Sequence, residues 1–182
     1  MIFNFCSMCS FSFMFYFTMT TMVIGYVLGI TLIPKYVSQA TALKASGFLG
    51  AVLVFLIVLI SPTVMIQLPG LQALPLVIVL VAFLGLANAL CWPAIFPMAL
   101  QDLGGFTKIG GAILIMGIIG GAIFPLIYGS WADAINLANE TAGIAETAKS
   151  GNQIAYLILL PTYFMILFFA FKGHKYRSWS KK

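Results

Sequence analysis

The chain has 182 residues, of which 62% are hydrophobic and 7% are charged, with a net charge of +5. A soluble globular domain carries about 25% charged residues, so this composition excludes that class. The basic residues sit at the ends of apolar runs and form no continuous face, which excludes a nucleic-acid-binding domain as well. The long apolar runs exceed the ~18 residues that span a bilayer, so the sequence predicts an all-α polytopic membrane protein with the lipid bilayer as its solvent.

Residues 1 to 33 hold no charge, so the basic start of a signal peptide is missing. The run is too long for one upright span and too short for two, at about 1.5 Å per residue. The span is expected over 13–33, with residues 1–12 as an atypical remnant. Gly25 and Gly29 form a Gly-x-x-x-Gly pair of the kind that lets membrane helices approach closely. Pro34 ends the run, and a short polar connection leads to a second span over 43–60, stopped by Ser61-Pro62. An uncharged connection containing Pro69 and Gly70 precedes a third span over 74–100. That span is about 40 Å if straight, so tilt or bending must fit it to a ~30 Å core.

The third span carries the most informative residues. Asn88 and Trp92 lie one helical turn apart and share a face. Pro93 and Pro97 cannot donate to the carbonyls of Ala89 and Pro93, which frees two acceptors in an apolar medium. An amide, an indole and free carbonyls suit a polyhydroxylated solute, and broken helices mark such sites in carriers. A plainer role fits the same residues: the prolines bend a long helix and Asn88 bonds a neighbour.

The turn Gln101-Asp102-Leu103-Gly104-Gly105 leads to a fourth span over 108–130. Gly117 and Gly121 make a second Gly-x-x-x-Gly pair, with Gly120 adding small surface and Pro125 a further break. Close packing against another helix is the expected role of these residues. Residues 131 to 151 read as a polar loop with Asp133, Glu140, Glu146 and Lys149, and Asn139-Glu140-Thr141 fits a glycosylation sequon by chance spacing. The fifth span covers 153–171 across Pro161, and a basic tail follows over 173–182. Eight Lys and Arg residues fall on one side of this arrangement and Lys149 alone on the other. The excess puts the tail in the cytoplasm and the acidic loop outside.

No metal or cofactor site is expected. Cys6-x-x-Cys9 has no second ligand pair, His174 stands alone in the tail, and no catalytic or phosphate-binding motif gives an enzyme reading support.

Several of these motifs combine into a resemblance. Trp92-Pro93-Ala94-Ile95-Phe96 followed by Leu103-Gly104, then Ile118-Ile119-Gly120-Gly121 and Gly129-Ser130-Trp131-Ala132-Asp133, resemble the late helices of the major facilitator superfamily. The similar branch is that of fucose permease and the glucose/galactose transporters. Val23-Ile24-Gly25-Tyr26 and Ile33-Pro34-Lys35-Tyr36 extend the likeness to the first span. The resemblance covers roughly residues 13 to 172. It implies that the five spans are helices eight to twelve of a twelve-helix fold in a bacterial inner membrane. It also implies a missing N-terminal half as partner, a sugar such as glucose, galactose or fucose as substrate, alternating access and proton coupling. Trp92 matches the aromatic residue that faces the sugar in that branch, which strengthens Asn88 and Trp92 as binding residues. No proton-binding carboxylate lies within the expected spans. A carrier for another small solute and a non-transporting structural membrane protein are the alternatives.

Overall fold

The computed structural model describes residues 3–33, 35–61, 63–67, 74–143 and 151–173, with side chains from Phe15 onward. Cys6, Cys9, Glu146, Lys149 and the tail with His174 therefore lie outside the described side chains. Seven α-helices run in the order α1 (Phe3–Leu32), α2 (Gln39–Leu59), α3 (Leu76–Leu100), α4 (Thr107–Met116), α5 (Gly120–Thr141), α6 (Gly151–Ala155) and α7 (Leu160–Phe171). Short 3-10 turns join α4 to α5 at Gly117–Ile119 and α6 to α7 at Tyr156–Leu159, so these pairs make two long helices. Among the described residues, five helices are long and apolar enough to cross a membrane. The chain is an all-α polytopic membrane protein.

Three boundaries differ from the sequence expectation. The α1 helix runs from Phe3, ten residues before the expected start of the first span, and takes in most of the stretch expected as an atypical remnant. The connection before α3 contains a small antiparallel pair, β1 (Met65–Ile66) with β2 (Leu74–Pro75). Residues 131 to 141 are helical and not part of a polar loop, because α5 continues to Thr141. Ala132, Ala134, Leu137 and Ala138 favour helix, and no Gly or Pro interrupts before Gly143, whose φ of 62° ends it. The stretch Gly104–Thr141 has 38 residues, roughly 55 Å of helix, and so overshoots a bilayer core by several turns.

The core forms where α2 meets α3 and α7, and small residues make that possible. Leu53, Val54 and Ile57 of α2 pack with Val81, Leu84 and Ala87 of α3 and Tyr163 of α7. A second cluster joins Ile33, Ala42, Leu43, Ala94, Met98 and Ala170. Gly50 leaves the room that the Tyr163 ring occupies, and a Cβ there would collide with it. The α1 and α3 backbones also approach closely, since a Cβ at Gly25 would lie 2.9 Å from the Leu86 carbonyl oxygen. Thr21 Oγ1 donates to the Ala82 carbonyl at 2.8 Å across the same contact.

Buried polar groups tie the spans together. Ser46, 1% exposed, donates to the Ala87 carbonyl at 2.5 Å and joins α2 to α3. The α2 helix starts at Ser38, whose hydroxyl accepts from the Thr41 amide, and ends with carbonyls that no helical amide reaches. Buried Gln153 of α6 supplies the missing donor, bonding the carbonyls of Ile57 and Ile60 through its amide nitrogen. On the other side of α6, Asn136 Oδ1 of α5 accepts from the Gly151 amide at 2.7 Å.

Candidate functional site

The α3 helix carries Asn88 and Trp92 into a groove of about 470 Å³ formed with α1. Met22, Val23 and Tyr26 of α1 face Asn88, Ala89 and Trp92 across it. The groove exists because Gly25 and Gly85 bring the two helices together beside it, while the larger residues of α1 stand back along its rim. Trp92 is 41% exposed and rests edge-on against Phe96, with ring centroids 6.1 Å apart. Its indole is therefore supported on one edge and open on another. The groove is mostly apolar, and no Asp, Glu, Lys, Arg or His lines it among the described residues. Binding there must rest on dispersion, stacking and neutral hydrogen bonds.

Asn88 does not stand alone. The Tyr163 hydroxyl of α7 donates to its Oδ1 at 2.6 Å. Among the described residues, the Asn88 amide nitrogen has no hydrogen-bond partner. So the plainer role, a bond to a neighbouring helix, occupies the oxygen of Asn88, while the nitrogen stays available to the groove. Tyr163 was not legible from the sequence as a partner, because 75 residues separate the two. The hint was a pair of phenols, Tyr156 and Tyr163, in a mostly apolar span, where a buried hydroxyl needs a partner.

The remaining candidate residues are spread over other surfaces. Pro93 and Pro97 lie within α3. Pro93 sits against α1, with its Cγ 3.4 Å from where a Cβ at Gly29 would be, and so helps pack the helix pair. Pro125 lines a separate cavity of about 260 Å³ with Phe124, Tyr128, Tyr156, Ile158 and Leu159. There Tyr128 donates to the Asn152 carbonyl at 2.7 Å and stacks edge-on with Tyr156. Gly117 and Gly121 have no other part of the described chain within 4 Å of a Cβ, and Gly120 meets only the Phe124 ring of its own helix. The helix expected to pack on these glycines is not among the described residues. No cluster of three or more metal-ligating side chains occurs among the described residues.

This is a membrane protein with a neutral, amide- and indole-lined groove between two spans. It is similar to proteins named as transporters. The chain is 32% identical over 141 residues to a glucose/galactose transporter of Brucella abortus biovar 1 (strain 9-941), which covers 78% of this chain and 28% of that protein. It is 37% identical over 94 residues to a putative glucose/galactose transporter of Helicobacter pylori (strain ATCC 700392 / 26695), covering 51% of this chain and 20% of that protein. The chain thus spans between a fifth and a third of the length of these curated relatives. No family model matches the sequence, and no solved structure matches it.

Proposed function

We propose that the chain forms part of a sugar carrier, in which Trp92 stacks on the pyranose ring and Asn88 bonds a hydroxyl from the same face. The observation that carries this reading is the groove itself. It presents an indole and a free amide nitrogen one helical turn apart, in a chain similar to glucose/galactose transporters. An indole offers a flat apolar surface to sugar C–H groups, and an amide nitrogen offers donors to hydroxyl oxygens.

The five long helices then correspond to helices eight to twelve of a major facilitator fold, in the branch of fucose permease and the glucose/galactose transporters. A preceding N-terminal half would complete the path, and the two halves would rock about a hexose or deoxyhexose held between them. Proton coupling, in this reading, belongs to acidic groups outside this chain. The protein would sit in a bacterial inner membrane with its C-terminus cytoplasmic. It would act as a carrier and not as an enzyme.

The test pairs this chain with the helices that precede the aligned region in the Brucella abortus relative, in cells lacking hexose uptake of their own. Saturable glucose or galactose uptake that needs both pieces is expected. Asn88→Ala should weaken apparent affinity by about 2- to 10-fold, as one neutral hydrogen bond is lost. Trp92→Ala should cost more, and Trp92→Tyr should keep much of the activity because a ring remains. Unchanged affinity in both alanine variants at normal abundance would remove Asn88 and Trp92 from the site. Uptake of some other solute, uncompeted by hexoses, would replace the sugar in this reading.

A further inference from the structure

The geometry points to Tyr163 as a positioning residue that holds Asn88 as a hydrogen-bond donor, so that the groove selects a sugar carbon bearing an acceptor. The inference rests on the sugar-binding reading above and adds a direction to its hydrogen bond.

Tyr163 is 2% exposed, and its ring fills the space left by Gly50 within the α2–α3–α7 core. The ring cannot swing without emptying that space, so its hydroxyl has a fixed address. From there it donates to Asn88 Oδ1 at 2.6 Å. Tyr163 comes from α7 and is not among the groove-lining residues, which belong to α1 and α3. The Asn88 oxygen is therefore drawn out of the groove towards α7. The two ends of a carboxamide diverge from its carbon, which leaves the NH2 group, a donor only, to meet the solute. Reversing the amide would face its NH2 towards the phenol and present an acceptor to the solute instead.

A donor-only group accepts a hydroxyl or a fluorine on the sugar and rejects a hydrogen. An amide free to turn would instead also use the hydroxyl as a donor, which fluorine cannot imitate. The chain paired with the preceding helices, as in the uptake test above, can be tested in lipid nanodiscs by competing labelled D-galactose with monodeoxy and monofluoro D-glucoses, one pair for each hydroxyl-bearing carbon. At one carbon, the wild type should bind the fluoro sugar within about 3-fold of glucose and the deoxy sugar about 5- to 10-fold more weakly. In Tyr163→Phe, which keeps the ring and loses only the hydroxyl, glucose should gain on the fluoro sugar, because the freed amide can then also accept from a sugar hydroxyl. In Asn88→Ala, glucose and both analogues should bind alike at that carbon. A Tyr163→Phe protein with the wild-type ranking would overturn the inference and leave the bond as a tie between helices. Rejection of the fluoro sugar by the wild type would overturn it equally. Absence of any hexose binding by the wild type would overturn the sugar reading itself, and this inference with it.

Discussion

The α2, α3 and α7 helices of the bundle and the arm of α4 and α5 are nearly equally apolar, yet the two regions bury very different amounts of themselves. In the bundle, Leu43, Val54 and Ile57 are wholly buried, and glycines sit under neighbouring side chains. In the arm, Ala132 is the one buried residue among those described, and Ile109, Ile113, Met116, Ile118 and Ile119 lie more than half exposed. Hydropathy alone does not bring helices together in lipid, because a tail is as apolar as a leucine. What separates the two regions is interlocking. The bundle has Gly50 under Tyr163, Gly25 against the Leu86 backbone and Ser46 bonded to Ala87. The arm is tied by Asn136 and Tyr128 to α6, by the Tyr128–Tyr156 ring contact to the turn after it, and at its start by Gly110 against Leu100 of α3.

The largest effect that would break the bundle is Gly50→Leu. The added side chain must displace the Tyr163 ring, and overpacking of this kind costs about 1–3 kcal/mol and sometimes more. Thermal unfolding of the purified protein in nanodiscs should show a marked loss, with Tyr163→Ala restoring part of it by opening room. Next comes Gln153→Ala, which strips the donor from two carbonyls at the end of α2 and should cost about 1–3 kcal/mol. Unchanged unfolding in that variant would mean that water caps α2 equally well. Ser46→Ala removes the bond to Ala87 and the contact with Cys91 Sγ, and should cost about 0.5–1.5 kcal/mol because the Cys91 thiol can still donate to Ala87.

The smallest effect sharpens the comparison most. Gly121→Leu should change the stability of this chain by less than about 0.5 kcal/mol, because nothing stands within 4 Å of a Cβ there. In a complete carrier, the same change should lower accumulation if another helix covers that face. A large loss in the isolated chain would show that the arm packs more tightly than its exposed residues imply.

The five spans were legible because long apolar runs have only one fate in this composition. The fourth was read short. Trp131 to Thr141 mixes polar and apolar residues, a pattern that suggests a loop although every residue permits a helix. The small β1–β2 pair carried no pattern long enough to see. At the site, Asn88 and Trp92 were placed together by helical spacing alone, and the structure sets both in one groove. Their neighbours on α1 and the bond from Tyr163 depend on which spans pack together, which periodicity within one span does not encode. For the same reason, two Gly-x-x-x-Gly pairs look alike in sequence while only Gly25 and Gly29 meet a partner here.

The bond from Gln153 to α2 also sets an order in the making of the protein. The Ile57 and Ile60 carbonyls receive their donor from a residue 96 and 93 positions further along. While the ribosome is still producing α3, α4 and α5, the finished α2 lacks the side-chain donor that its end receives in the folded protein. That donor arrives only after α6 emerges and folds back against it. Release of the chain before residue 153 would therefore leave exposed polar backbone at one membrane face, a mark by which quality-control proteases could tell an unfinished copy from a complete one.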